Sequence, residues 1–68
     1  MIRGPQSFGM ALGEFRRRRG VTQAELAKTS GLHRSYLSKL ERGSATDAFR
    51  YLILASRALD LEIVVRPR

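Results

Sequence analysis

The residues of this 68-residue chain that could do chemistry are mostly cations, and they are concentrated in one stretch. Between Arg16 and Ser44 there are eight basic and only two acidic residues, out of a net charge of +7 for the whole chain. Guanidinium and ammonium groups clustered on a folded region favour contact with a polyanion. A basic composition can also follow from a GC-rich genome, so the charge by itself indicates only a candidate surface.

The residue types that catalysis or metal binding requires are nearly missing. Cysteine is absent and His33 is the only histidine, so neither a disulfide nor a Cys/His zinc site is expected. The sequence shows no nucleophile beside a base, no paired carboxylates and no phosphate-binding loop. It therefore predicts a binding protein without a cofactor or a metal, not an enzyme, and His33 is expected to cap a helix or to lie near a phosphate.

Three glycines, Gly20, Gly31 and Gly43, divide the first part of the chain into short helices. Each follows a run with helical periodicity, and glycine takes the left-handed conformation that ends a helix at little cost. The first run carries an apolar stripe expected to face the core, followed by four cations: Phe8, Leu12 and Phe15, then Arg16 to Arg19. Gly9 and Gly13 each weaken this helix by about 1 kcal/mol relative to alanine, so we expect them to permit tight packing against another helix.

The second and third helices are short. Thr22 and Glu25 form a capping-box pattern, which predicts a helix that begins at about Gln23 and ends near Gly31. The third helix is expected to begin after His33 and to end at Gly43. The residues expected to face the core are Leu26 and Ala27 in the second helix, and Leu32, Leu37 and Leu40 around the third. The outer face of the third helix carries Arg34, Ser35, Ser38 and Lys39.

A fourth helix and one strand complete the predicted chain. Ser44, Thr46 and Asp47 are candidate caps for this helix. Its broad apolar face is expected to close the core and consists of Phe49, Leu52, Ile53, Ala55 and Leu59. After Asp60 the pattern alternates, which predicts a strand. A lone strand leaves backbone groups unpaired, so its simplest partner is the same strand of a second chain. The residues assigned to this dimerisation are Leu61, Glu62, Ile63, Val64, Val65 and Arg66.

Two short helices joined by a tight turn match the helix-turn-helix, whose second helix fits the major groove of DNA. The run GVTQAELAKTSGLHRSYLSKLERG, from Gly20 to Gly43, resembles the signature of the XRE/Cro/C1 helix-turn-helix family in its Gln-x-x-Leu-Ala, glycine-turn and Leu-Glu-x-Gly spacings. The resemblance implies a mostly α-helical, lambda-repressor-like domain of four to five helices over residues 1–60. Residues 61–68 are then the C-terminal strand of the same domain, paired across a homodimer.

The resemblance also assigns roles to individual residues. It implies that Gln23 contacts a phosphate and braces the recognition helix, and that Arg16 pairs with Glu41 inside the protein. The positions expected to face base edges are Arg34, Ser35, Ser38 and Lys39. Arg34 and Lys39 suit the O6 and N7 atoms of guanine, which predicts at least one G in each half-site. The positions expected to meet phosphates are Thr22, Gln23, Arg17, Arg18, Arg19, Tyr36, Arg42, Gly43 and Ser44.

Two groups of aromatic residues have structural interpretations. Tyr36 could equally pack against the protein or donate to a phosphate. Phe8, Phe15 and Phe49 are expected in the core, since base stacking needs exposed aromatic rings near the basic stretch. The scarcity of such rings also disfavours RNA as the ligand.

The ending LDLEIVVRPR, residues 59–68, resembles HipB-type antitoxins, whose C-terminal strands pair between subunits. In that branch the dimer represses its own operon and holds a HipA-like kinase toxin inactive. The sequence stops at Arg68, so contact with a toxin is expected to involve the folded body.

These observations predict a homodimeric, sequence-specific DNA-binding repressor that autoregulates a HipBA-like toxin-antitoxin operon. The alternatives are a stand-alone phage-type repressor and a protein-interaction module that neutralises a toxin and binds DNA weakly. No apolar run approaches the roughly 20 residues of a membrane span, and Met1 to Ser7 lacks a signal-peptide core. A cytoplasmic, nucleoid-associated protein of a prokaryote or phage is therefore expected.

Overall fold

The computed structural model describes residues 2–44 and 47–68, and within these residues the chain has four helices. They are α1 (Pro5–Arg18), α2 (Gln23–Ser30), α3 (Arg34–Glu41) and α4 (Asp47–Ala58). The predicted mostly helical domain and the predicted start of α2 are confirmed. Thr46, a candidate cap for α4, lies outside the described residues.

The ends of α2 and α3 follow from local interactions. The Thr22 hydroxyl accepts from the Glu25 amide at 3.0 Å, and the Glu25 carboxylate accepts from the Thr22 amide at 3.1 Å, so the predicted capping box is present. Gly31 and Gly43 have φ values of 79° and 87°, a conformation that costs a residue with a Cβ about 1–2 kcal/mol. His33 occupies the N-cap position of α3, but its side chain makes no capping hydrogen bond.

Helix α3 packs against both α1 and α2, and its inner residue Leu37 is only 2% exposed. The closest approach is made possible by Gly9 of α1. A Cβ built on Gly9 would collide with the carbonyl oxygen of Leu40 and come within 2.8 Å of that of Glu41. At Gly13, a Cβ would lie 3.1 Å from the Glu41 carboxylate. The close packing expected for these two glycines is therefore confirmed.

Helix α4 closes the core less completely than its sequence predicts. Ile53 is buried, and the rings of Phe49 and Phe8 are 5.2 Å apart. Leu59, however, is 73% exposed and Leu52 more than half exposed, and Ala55 is exposed as well. The expectation of one broad buried face was wrong, because α4 is apolar around most of its circumference while only one side of it meets the other helices.

Leu32 was also predicted to enter the core, and this prediction was wrong. It lies in the turn between α2 and α3 with 43% of its surface exposed. The turn leaves Leu32 only partly covered by the described residues.

The C-terminal segment differs from the predicted strand. Helix α4 is followed by Asp60 in the left-handed conformation, φ 59°, after which the Leu61 amide donates to the Ser56 carbonyl at 2.8 Å. Among residues 2–44 and 47–68 no strand forms over 61–66. Instead, a single antiparallel bridge joins Ile63 to Ile2, with the Ile2 amide donating to the Ile63 carbonyl at 2.6 Å. The segment thus has a partner in its own chain at one residue.

No helix in the described ranges is long and apolar enough to cross a membrane.

Candidate nucleic-acid interface

Helix α3, which follows the turn after α2, has one side packed against the other helices and the opposite side exposed to solvent. Leu37 is buried against the neighbouring helices and Leu40 is half-buried, which fixes the inner side. On the outer side Arg34, Ser35 and Lys39 are exposed, and Ser38 is half-buried. Within residues 2–44 and 47–68, no hydrogen bond or ion pair engages the side chains of these residues. The four positions predicted to face base edges thus share one open surface.

A polar cluster locks α3 to the rest of the domain. The Arg16 guanidinium donates to both oxygens of the Glu41 carboxylate, at 2.7 and 3.0 Å, and to the Val21 carbonyl at 2.8 Å. The Arg16 and Glu41 side chains are only 13% and 9% exposed. A two-point contact of this kind fixes orientation as well as distance. The predicted ion pair is therefore present, and it joins the end of α3 to α1.

Gln23 completes this cluster. Its side-chain amide donates to a Glu41 carboxylate oxygen at 3.2 Å, which connects the first turn of α2 to the last turn of α3. This is the bracing contact expected of Gln23. One N–H of the amide group is used by Glu41, and the other has no hydrogen-bond partner within the described residues.

The cluster also shifts the acidity of Glu41. The hydrogen bonds from Arg16 are the largest effect on Glu41 and lower its pKa below the ordinary value of 4.5. Burial opposes them, and smaller contributions from Gln23 and Arg17 lower the pKa further. A carboxylate with a lowered pKa stabilises the fold at pH values above its unfolded pKa, and this stabilisation is lost as the pH falls through the folded pKa.

We expect Glu41→Gln to reduce the loss of stability in acid. The wild-type free energy of unfolding falls as the pH drops below about 4.5, because protonation of Glu41 breaks the charge pair. The variant is less stable than wild type at neutral pH, but its stability declines less steeply in acid. Urea unfolding at several pH values measures both effects. Glu14→Gln is the control, because its pair with Arg18 is exposed on α1. An identical acid slope in wild type and Glu41→Gln would contradict the prediction.

The cations at the end of α1 are not equivalent. Arg18 pairs with Glu14 at 2.7 Å and lies over the Phe15 ring, 5.8 Å from its centroid. Arg17 and Arg19 are exposed, and no ion pair is found for either within the described residues. Of the three arginines predicted to meet phosphates, Arg19 and Arg17 form no ion pair within the described residues, although Arg17 is near enough to lower the pKa of Glu41. Arg18 is paired with Glu14.

The predicted phosphate contacts beyond α3 need one correction. Gly43 and Ser44 were expected to meet phosphates, but the Gly43 amide donates to the Leu40 carbonyl at 3.1 Å and the Ser44 amide to the Lys39 carbonyl at 3.0 Å. These bonds close the end of α3, as helix C-caps commonly do. Ser44 retains its hydroxyl for a phosphate, and Arg42 is exposed.

Two other predicted phosphate contacts keep a donor. Tyr36 is 41% exposed, so its side chain is neither fully packed against the protein nor fully in solvent, and both interpretations of this residue stay open. The Thr22 hydroxyl accepts from Glu25 and retains its own hydrogen as a donor.

Two structural partners were absent from the sequence-based prediction. The Val21 carbonyl is a third acceptor for Arg16, and a backbone group carries no sequence signal. Gln6 packs under Gly43, where a Cβ would come within 2.9 Å of the Gln6 Cα. The glycine at position 43 indicated a turn, but not a close contact with α1.

Comparison with known proteins points to one family. The HTH_3 helix-turn-helix family model matches residues 12–65. The HTH-type transcriptional regulator SlrR of Bacillus subtilis is 38% identical over 57 residues, which cover 82% of this chain and 38% of SlrR. The uncharacterized HTH-type transcriptional regulator y4dL of Sinorhizobium fredii is 44% identical over 48 residues, or 71% of this chain and 24% of y4dL.

The chain therefore spans well under half the length of these two relatives, neither of which carries an enzyme name. No solved structure gives a significant match. Because the family model covers most of the chain and contains α2, the turn and α3, the protein belongs to the XRE-type helix-turn-helix family.

Proposed function

We propose that the protein is a sequence-specific DNA-binding transcriptional repressor that acts as a homodimer. The observation that carries the proposal is the open outer side of α3. Arg34, Ser35, Ser38 and Lys39 lie there without partners in the described chain, while Leu37 and the Arg16–Glu41 pair hold the opposite side. A rigid helix with one unengaged polar face is the geometry that fits the major groove.

The roles follow from the chemistry of these side chains. Arg34 and Lys39 are donors that match the O6 and N7 acceptors of guanine, and Ser35 and Ser38 can either donate or accept. Side chains around this face supply the contacts that position the protein on the phosphates without reading sequence. They are Arg17, Arg19, Thr22, Gln23, Tyr36, Arg42 and Ser44, with Arg18 available if it releases Glu14.

A homodimer carries two recognition helices, and the distance between them sets the spacing of the two half-sites in the operator. Residues 1–60 carry the DNA-binding unit in this proposal, and residues 61–68 supply the contact between subunits. Two copies of α3 related by a two-fold axis would enter successive major grooves about 34–36 Å apart, so the operator is an inverted repeat.

The setting we propose is a HipBA-like toxin-antitoxin operon in a prokaryote or phage, where the dimer acts at the nucleoid and represses its own promoter. This rests on the likeness of residues 59–68 to HipB-type antitoxins, and a HipA-like kinase is then the partner. A stand-alone phage-type repressor has the same DNA chemistry without the toxin.

A second candidate function is supported by the outer side of α4. Tyr51, Leu52, Leu54 and Leu59 are all more than half exposed, and exposed apolar residues that lie together commonly mark protein interaction sites. A module that neutralises a toxin and binds DNA weakly would use this surface. A toxin pull-down that survives loss of DNA binding would distinguish the two functions.

DNA binding is tested by fluorescence anisotropy with the promoter region of the protein's own gene. If the dimer contacts about six to ten phosphates, we expect affinity to fall by roughly 10³ to 10⁵ between 50 and 200 mM salt. A scrambled duplex of the same length and composition is the control, and it should bind more weakly at every salt concentration. Absence of binding at low salt, or equal affinity for both duplexes, would refute sequence-specific recognition.

A further inference from the structure

The C-terminal tail, residues 61–68, has one edge engaged and one edge open. Ile63 receives a hydrogen bond from Ile2 in an antiparallel bridge. In an extended chain, the backbone groups of successive residues point to opposite edges. Extending the chain on both sides of the bridge at Ile63 would direct the amides and carbonyls of Glu62, Val64 and Arg66 away from Ile2, and no described residue forms a backbone hydrogen bond with them.

The position of Pro67 agrees with this assignment of edges. Proline lacks an amide hydrogen and is tolerated in strands where that hydrogen is not needed. Pro67 lies four residues after Ile63, so in an extended chain its backbone nitrogen points to the same edge as that of Ile63. The missing hydrogen-bond donor of Pro67 is therefore on the edge that faces Ile2. The open edge keeps its donors.

We infer that this open edge pairs antiparallel with the same edge of a second copy, with Val64 on the two-fold axis facing Val64 of the partner subunit. The inference rests on the homodimer proposed above and specifies its register. The segment around Ile2 then forms the outer edge on each side, so the two tails lie at the centre of a small intermolecular sheet.

Charge complementarity selects this register. With Val64 on the axis, Glu62 lies opposite Arg66 of the partner subunit, and Arg66 lies opposite Glu62 of the partner subunit. Both side chains are exposed, and neither forms an ion pair within the described chain. Opposite charges facing each other across an antiparallel pair are favourable, whereas like charges are unfavourable.

The neighbouring registers satisfy these groups less well. Moving the two-fold axis by one residue, to Ile63 or Val65, places Val64 opposite Glu62 or Arg66 of the partner subunit and separates Glu62 from Arg66. A shift of two residues brings Glu62 or Arg66 opposite its own copy. Val64 is 59% exposed and lies between the charged residues Glu62 and Arg66 on its face of the extended tail. Pairing with a second Val64 covers it.

Charge reversal tests the pairing of Glu62 with Arg66. We expect Glu62→Lys alone and Arg66→Glu alone to weaken dimerisation about tenfold each, because every homodimer then contains two like-charged pairs. An equimolar mixture of the two variants restores complementary pairs and should form heterodimers with near wild-type affinity. Asp47→Lys and Arg57→Glu are matched controls on α4 and should leave dimerisation unchanged. Sedimentation measures the affinity, and native mass spectrometry identifies the heterodimer.

A cysteine placed on the axis tests the register directly. Facing residues of a hydrogen-bonded antiparallel pair have Cα atoms about 5.5 Å apart, within the range of about 4.4–6.8 Å that a disulfide spans. The natural chain has no cysteine, so Val64→Cys should form a covalent dimer under mild oxidation. Ile63→Cys, half-buried beside Ile2, should not.

The outcomes separate failure of the register from failure of the dimer. If wild type sediments as a monomer at every concentration, the homodimer of the proposed function is refuted, and the inference with it. If wild type is a dimer but Ile63→Cys crosslinks in preference to Val64→Cys, or if mixing fails to restore pairing, the dimer stands and this register is wrong. Circular dichroism checks that every variant is folded.

Discussion

Replacing Arg34 and Lys39 together by alanine is expected to weaken operator binding by at least about a hundredfold without unfolding the domain. Each good contact between such a side chain and a guanine edge contributes about 1–3 kcal/mol of discrimination, and a factor of ten corresponds to about 1.4 kcal/mol. A dimer loses the contacts in both half-sites. Both side chains are exposed and unpaired in the described chain, so the thermal unfolding midpoint should stay close to wild type.

Fluorescence anisotropy on operator and on scrambled duplexes measures this effect. The matched control is Lys28→Ala combined with Arg57→Ala, which removes the same charge from exposed positions on α2 and α4. The control should lose affinity slightly and equally for both duplexes. If the two double variants lose equal affinity, or if Arg34→Ala with Lys39→Ala keeps its preference for the operator, the outer face of α3 does not read sequence.

The largest expected effect on stability comes from Gly9→Ala. In an exposed helix this change would stabilise by roughly 1 kcal/mol, but here the new methyl group would collide with the Leu40 and Glu41 carbonyls. Both obstacles are backbone atoms, so α1 and α3 must separate. Overpacking of a tight contact costs about 1–3 kcal/mol and occasionally more. We expect a loss of about 3 kcal/mol, a large fraction of the stability of a small domain.

Chemical denaturation followed by circular dichroism measures this loss, and Gly4→Ala is the control. Nothing lies within 4 Å of a Cβ built on Gly4, and its backbone is extended, so the free energy of unfolding should fall by no more than about 1 kcal/mol, the cost of alanine in place of glycine at the N-cap of α1. Gly9→Ala should also weaken operator binding, because separation of α1 from α3 disturbs the Arg16–Glu41 pair. A variant as stable as wild type would show that the contact between α1 and α3 is looser than described.

The local features of the fold were predictable because each depends on residues close together in the chain. The capping box of α2 joins Thr22 to Glu25, three residues apart. Gly31 and Gly43 end helices through their own backbone conformation. The outer face of α3 follows from helical spacing alone. The pairing of Arg16 with Glu41 spans 25 residues, and it came from the family resemblance, since no local pattern indicates it.

Features that depend on packing were predicted less well. The apolar residues of α4 indicated a buried face, but the pattern does not say how much surface the rest of the chain can cover. The alternation after Asp60 indicated a strand, while the structure shows a bridge at Ile63 alone. Gly43 was predicted to meet a phosphate, although the end of α3 already uses its amide.

For this protein the sequence by itself determined the start of α2, the glycines that follow the first three helices, the basic stretch and the polar residues presented by α3. These follow from backbone conformation and side-chain chemistry along a short segment. Only the tertiary structure decided that Gly9 meets the backbone of α3, that Leu32 and Leu59 stay exposed, and that the tail has one engaged edge and one open edge. Burial and pairing depend on which surfaces meet across the chain, and a small domain has too little surface to cover every apolar residue it contains.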